Sequence, residues 1–417
     1  MESIKKILSS IFARIAVTHK WQQDFLLEMF ELIFSIQGRV NYTNLARFSK
    51  YNEITFRRNF KKFFDWLNFN LQIMQLAGLR FSSKSVTEII AAIDCSYLPK
   101  AGKKTFGLDF FYSGVAGRNK KGLEISLLSL IDVQKAKAWT LDVVQTPSKL
   151  SAKQGDKKQY TRIDFYLEQI LDLLPKLQYI RYIVADGFYA KKKVFQMFAS
   201  CNKHLITKFR PDANLRFLFK GNHPKGKRGP KMKYAGKVNW KKLDFRNWQS
   251  IGLDYKYPHL KIYTQILNSP HFKRDFRIVL LLNTRTGKYV LLACTDLNLC
   301  ARQIVQFYQL RFKIEFLFRD AKQFTGLTHC QARDEQSIDF HLNLSLAAVN
   351  LLQLHLIQNS TNLSMNSFVR KAYNTKLVNW LFSQYDKLSS NAKFDLIKFR
   401  NHPFLDSVLN FGCLHQT

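Results

Sequence analysis

The chain has 417 residues, 46% of them hydrophobic, with 36 Phe and 17 Tyr, enough apolar side chain for a packed core and too much for an intrinsically disordered protein. Its 65 Lys and Arg against 30 Asp and Glu leave a net charge of +35, a self-repulsion that opposes compaction unless a polyanion meets it. Nucleic acid is the favoured partner, because each neutralised phosphate releases a counterion; ribosomal and basic membrane-surface proteins carry such charge too, but rarely with so much core.

The length predicts two or three structural units. No stretch approaches the ~20 apolar residues of a membrane span. The first residues, MESIKKILSSIFARIAV, begin like a signal peptide, but Arg14 interrupts the apolar segment, and an amphipathic helix of a cytoplasmic protein is expected. Cys95, Cys201, Cys294, Cys300, Cys330 and Cys413 form no CxxC pair, so core thiols are expected rather than zinc ligands or disulfides.

Residues 1–85 read as a helical domain, with apolar positions spaced by three and four. Within it, a short helix from Thr43 to Phe48, a turn at SKYNE and a second helix from Ile54 to Trp66 have the spacing of a helix-turn-helix, with Leu45, Phe56 and Phe60 between the helices. Arg57, Arg58, Lys61 and Lys62 would then face DNA. A plain helical hairpin with a solvated basic face gives the same pattern.

From Val86 the period changes. VTEIIAAIDCSYL is a buried-strand run expected to end at Asp94; LEISLLSLIDV and AWTLDVVQT form a hairpin. A helix (DFYLEQILDLLPKL), a strand ending at Asp186 (YIRYIVAD), a helix (AKKKVFQMFAS) and a strand (KHLITKF) follow. Residues 86–209 thus read as the first part of an α/β core, a mixed sheet with helices on its faces. Residues 210–275 break the rhythm: Arg216 to Lys242 holds ten basic residues and no acidic one, punctuated by Gly and Pro. This is expected to be a basic β-rich insertion whose KGKRGPK, with Lys227 and Arg228, either lies in a minor groove or is a solvated loop. The second part of the core, 276–335, has two strands (FRIVLLLNT, KYVLLACTD) and a long helix from Cys300 to Phe324. Residues 336–417 read as helical.

On that long helix, Tyr308, Arg311, Glu315, Arg319 and Lys322 fall in one stripe, and Leu310, Ile314, Leu317, Ala321 and Phe324 in the opposite one. One face is therefore anchored while the other presents a carboxylate among cations. A solvated face laced by i,i+4 pairs, worth only ~0.2–0.5 kcal/mol each, is the bland account. It weakens once Asp94 and Asp186 are added. Two carboxylates at the rim of one sheet repel, and a cation between them relieves that. With Glu315 they would make an oxygen-rich pocket for two Mg²⁺ ions ~3.5–4 Å apart, beside phosphate-gripping Arg311 and Lys322.

Tyr308-x2-Arg311-x3-Glu315-x6-Lys322 resembles the Y-R-E-K signature of a large group of bacterial insertion-sequence transposases, and IDCSY, VADGFYA, CTDLNL and HCQAR look like that group's neighbouring text. The resemblance spans about residues 86 to 350. It implies a ribonuclease-H-like core interrupted by the β-rich insertion, with Asp94, Asp186 and Glu315 as the D-D-E triad that binds Mg²⁺, Mn²⁺ being able to substitute. It further implies cut-and-paste transposition: recognition of terminal inverted repeats, strand cleavage, and joining to target DNA within an end-paired homodimer, in a bacterial cytoplasm near the nucleoid. Some relatives form a hairpin with an insertion aromatic stacked on a flipped base; Trp240 is the candidate, and a tryptophan in the insertion's own core is the plain alternative. A catalytically inactive DNA-binding derivative and a nuclease of the same fold are the competing functions. Asp132, Asp142, Asp109, His329, His341 and Ser96 are read as structural.

Overall fold

The computed structural model describes residues 2–15, 19–81, 88–148, 150, 160–221, 231–359, 362–388 and 409. Five helices come first: α1 (Glu2–Phe12), α2 (Lys20–Ser35), α3 (Tyr42–Arg47), α4 (Glu53–Asn59) and α5 (Trp66–Leu76). α1 buries Ile4, Ile7, Leu8 and Ile11, the amphipathic helix its spacing predicts. Leu45, Phe56 and Phe60 are all buried, so α3 and α4 pack as expected. The helix predicted from Ile54 to Trp66, however, stops at Asn59. Asp65 accepts a hydrogen bond from the Asn68 amide at 2.9 Å and opens α5 as a new helix. Lys61 and Lys62 therefore lie in the turn between α4 and α5.

The sheet begins with β1 (Ile89–Pro99), β2 (Asp109–Ser113), β3 (Arg118–Asp132) and β4 (Lys137–Gln145). Then come α6 (Arg162–Leu173), β5 (Tyr182–Val184), α7 (Lys192–Ser200) and β6 (His204–Phe209). The spatial order is β4-β3-β1-β5-β6. β4, β3 and β1 are antiparallel, and β1, β5 and β6 are parallel, an arrangement consistent with a ribonuclease-H-like core. β2 was not foreseen. It pairs with the start of β3, where Gly122 is flanked by Pro99 on one edge and Asp109 on the other. A side chain at Gly122 would collide with the Leu98 carbonyl and the Tyr97 ring, so this close approach requires glycine.

The segment after β6 does not make a sheet of its own. β7 (Arg216–Leu218), β8 (Tyr234–Lys237), β9 (Gln249–Leu253), β10 (Leu260–Ser269), β11 (Arg274–Asn283) and β12 (Tyr289–Cys294) extend the same mixed sheet, because β12 pairs antiparallel with β6. KGKRGPK, with Lys227 and Arg228, lies outside the described residues, apart from its last lysine.

The helix expected from Cys300 to Phe324 is two helices, α8 (Ala301–Leu310) and α9 (Phe312–Phe324), meeting at Arg311. α10 (Glu335–Gln358) and α11 (Met365–Leu388) complete the fold. Contrary to the expectation that no stretch approaches a membrane span, α10 has the length and, at mean hydropathy 1.3, the composition of one; 83% of that window is buried inside the protein. It packs on α5, β4, α9 and α1 as the core helix. A buried amide joins three layers: Asn350 donates to the Asn70 side chain (2.9 Å) and the Thr140 carbonyl (2.8 Å), and accepts from the Thr140 amide (2.9 Å). Of the thiols, Cys294 is buried and Cys300, ahead of α8, is exposed, so not all are core.

Candidate active site

Asp94, expected at the end of its strand, sits in mid-strand, since β1 runs on to Pro99 against β3. The strand that ends is its neighbour. β5 pairs with β1 at Ala91–Ile183 and Ala92–Val184, and beyond Val184 no strand among the described residues pairs with that flank of β1. Asp94 and Asp186 each lie two residues past the last pair, so the parallel register sets both at the mouth of this opening. Asp186 is fixed by its own turn, its Oδ1 accepting from the Phe188 amide at 2.9 Å while its carbonyl accepts from Thr207 Oγ1 at 2.6 Å. Asp94 accepts from the Cys95 amide at 2.8 Å.

The third carboxylate arrives on α9. Ile314, Leu317 and Ala321 are buried, anchoring the helix as its apolar stripe predicts. Arg311 bridges the opening: one guanidinium nitrogen donates to Asp94 at 3.1 Å and another to Glu315 at 3.1 Å. The Arg311 side chain is 8% exposed, Asp94 21% and Glu315 46%, so the pair with Asp94 is largely withdrawn from water and that with Glu315 lies at the rim. Burial pushes the Asp94 carboxyl up to about 6; Asp186 and Glu315 push the same way, while Arg311 and the Cys95 amide oppose them. Burial opposes the charge on Arg311, but Asp94, Tyr308, Glu315 and Asp186 together hold its pKa above the usual value. Tyr308 is half-buried with its ring 5.7 Å from the guanidinium, and burial raises its phenol.

Lys322 fastens α9 to the strand of Asp94, donating to Ser96 Oγ at 2.7 Å and to the Tyr97 carbonyl at 3.3 Å. Burial lowers its pKa. Among the described residues no three His, Cys, Asp or Glu side chains enclose a metal-sized space. Where the sequence leads one to expect an oxygen-rich pocket, the Arg311 guanidinium stands between Asp94 and Glu315. The donor chemistry nonetheless suits a hard divalent cation: three carboxylates, one of them disfavoured as an anion by burial and by its acidic neighbours.

A family model described as a DDE superfamily endonuclease matches residues 22–256, more than half of the chain. The chain belongs to the DDE superfamily endonucleases. Membership implies cleavage of DNA. The match includes Asp94 and Asp186 and ends before Glu315, so the third acid rests on geometry. A comparison with curated proteins finds no match.

Other predicted residues of this DDE endonuclease lie elsewhere. Arg319 leaves the stripe: its guanidinium turns to Asp320, with Nε to Oδ1 at 2.9 Å, and lines a groove with Lys135, Lys313 and Phe316. An arginine is long enough to reach the nearer carboxylate. Arg57 pairs with Glu53 and lies over the Tyr42 ring, while Arg58 and Lys61 are exposed. Trp240 donates its indole N–H to the Ala213 carbonyl at 2.7 Å and stacks on Tyr289 at 5.9 Å, both contacts lying in the segment after β6 and neither with the three carboxylates. His329 accepts from the Val40 amide at 3.2 Å and His341 donates to the Gly326 carbonyl at 2.8 Å, both in structural roles. Asp132 accepts from the Lys135 amide in the β3–β4 turn, and Asp142 from Gln169. Asp109 opens β2, accepting from the Phe110 amide. Asp296 of CTDLNL ties the end of β12 to β5, accepting from Tyr182 at 2.9 Å and Arg181 at 3.1 Å.

Sequence reasoning missed the roles of Ser96 and Tyr97 as the seat of Lys322. It also missed Lys100, whose ammonium holds the carbonyls of Cys330 and Ala332. No signal in the sequence points to that contact between residues 230 positions apart.

Proposed function

We propose that this DDE endonuclease is a transposase of the insertion-sequence group bearing the Y-R-E-K signature. It would cut DNA strands at transposon ends and join the freed 3′-hydroxyls to target DNA. The observation that carries the reading is the Arg311 bridge from Asp94 to Glu315 at 3.1 Å on each side, beside Asp186 across the β1–β5 register. Three of the four signature residues, Tyr308, Arg311 and Glu315, meet there, and the fourth, Lys322, clamps the same strand.

Asp94, Asp186 and Glu315 would hold the divalent ions, Mg²⁺ with Mn²⁺ able to substitute, which when bound activate an attacking oxygen and stabilise a leaving one. Arg311, freed from one carboxylate, would ligate a phosphate beside the scissile bond, its planar fork suiting that geometry. Lys322 would keep α9 against β1, so that Glu315 and Asp94 stay in register. In this reading residues 1–85 recognise the end, 86–209 and 276–335 form the catalytic core around the 210–275 insertion, and 336–417 supports it. Two copies would pair two ends in the bacterial cytoplasm.

The test is incubation of the purified protein with its element's end DNA and Mg²⁺, with nicks and joined products mapped. Nicks that expose a 3′-hydroxyl at the end, followed by products joined to target with a short duplication, are expected. Cleavage scattered along the duplex without joining would reduce the reading to a nuclease.

A further inference from the structure

A groove of about 1540 Å³ runs between the N-terminal helices, the far end of β1, the β2–β3 hairpin and the loop before α10. Nine Lys and Arg side chains line it, Lys61, Lys103, Lys104, Lys120, Lys121 and Arg333 among them, against one acid, Asp334. Some cations elsewhere have a carboxylate beside them, as Arg181 has Asp296, Lys193 Asp164, Arg210 Asp212 and Arg246 Asp244. Among the described residues Lys103, Lys104, Lys120 and Lys121 are exposed and have no acidic partner. Like charges facing one another across a concave surface repel at a cost that a polyanion removes.

The groove borders the strand that carries Asp94: the Tyr97 carbonyl accepts from Lys322 of α9, the helix of Glu315. Tyr97 and Pro99 line it, and they follow Asp94 on the same strand. At ~3.3 Å per residue Tyr97 lies about 10 Å from Asp94, roughly three base steps along a DNA strand. Its walls are tied together before any ligand arrives: Lys100 holds the carbonyls of Cys330 and Ala332, the Phe106 amide donates to the Arg333 carbonyl at 2.8 Å, and the Val40 amide donates to His329. Such preorganisation lowers the cost of binding.

We propose that the DNA cut at the carboxylates lies with its phosphate backbone in this groove, gripped at once by the N-terminal helices and by the β1 end and β2–β3 hairpin. The inference rests on reading the chain as a DNA-cutting enzyme and adds where the substrate runs. The α3–α4 pair then acts as one wall of the groove. Arg57, held over Tyr42 and paired with Glu53, forms part of that wall and does not project from a detached reading head.

The test uses full-length protein and a fluorescein-labelled duplex of arbitrary sequence, with affinity followed over a salt series by anisotropy. The variant combines Lys103→Ala, Lys104→Ala, Lys120→Ala and Lys121→Ala. A charge-matched control combines Lys256→Ala, Lys273→Ala, Arg285→Ala and Lys288→Ala in turns flanking β10–β12. The groove variant should bind at least about tenfold more weakly at moderate salt, and its log–log salt slope should fall by about 3–4, while the control stays near wild type. Equal losses in both variants would reduce the effect to net charge and overturn the proposal. Unchanged binding by the groove variant would overturn it even where the wild type cleaves. A wild type that binds through these lysines but never cleaves its element's end DNA in Mg²⁺ would uphold the groove and sink the enzymatic reading.

Discussion

The Arg311 guanidinium lies 3.1 Å from the Asp94 carboxylate, a contact between residues 217 positions apart in the chain. It joins a helix after the β-rich segment to the first strand of the sheet, and through a second nitrogen it reaches Glu315. One cation thus answers two of the three acids in the opening left where β5 stops.

Arg311→Ala removes that cation and leaves Asp94 mostly buried beside Asp186. Breaking such a pair costs about 3–5 kcal/mol. Urea denaturation in the presence of a chelator should show that loss, and Mg²⁺ should recover more of it in the variant than in the wild type. Arg311→Lys should fall between, because a single ammonium does not span both carboxylates as the planar fork does. Stability of Arg311→Ala within about 0.5 kcal/mol of wild type would mean the bridge carries no weight.

Lys322 and Ser96 should be coupled. Their 2.7 Å contact joins α9 to β1, and a double-mutant cycle with Lys322→Met and Ser96→Ala should return an interaction of about 1 kcal/mol. Additive losses would show that the two act independently.

Asn350→Leu should destabilise the whole fold by about 2–5 kcal/mol, since it removes the donor to the Asn70 Oδ1 and the partners of both backbone groups of Thr140 in the core. A single cooperative transition, seen by fluorescence and circular dichroism alike, is expected to move to lower urea. Loss confined to the N-terminal helices would show that they fold apart from the sheet.

His341 sets one part of the acid response. Burial drives its pKa down to about 4 from the ordinary 6.5, so the unfolded chain takes up a proton there that the folded one refuses. Its contribution is fully present above pH 6.5 and is lost as pH falls through about 4, in all on the order of 3 kcal/mol. The difference between His341→Gln and wild type isolates the histidine. It should shrink steadily between pH 6.5 and 4, and a constant difference would contradict the assignment.

The core of the site was readable because periodicity and spacing report local structure. Ile314, Leu317 and Ala321 mark the buried face of α9, and runs such as YIRYIVAD mark strands buried on both faces. What the pattern could not convey was pairing. Asp94 lies in mid-strand because β3 is long and β5 short, a fact about partners that β1 alone does not contain. The same holds for the β-rich segment, whose strands join the main sheet through β12 and β6. Arg319 left its predicted stripe because a flexible side chain follows the nearest carboxylate. The early end of α4 could have been foreseen from Asp65, an N-cap residue one position before Trp66.

Divalent-metal-dependent cleavage of end DNA by Asp94→Asn, Asp186→Asn and Glu315→Gln proteins tests the central claim most directly, with DNA binding measured alongside. Each variant should bind the duplex nearly as wild type does and yield no nicked product in Mg²⁺ or Mn²⁺. Any one of them cleaving at the wild-type rate would remove that carboxylate from the site and contradict the account.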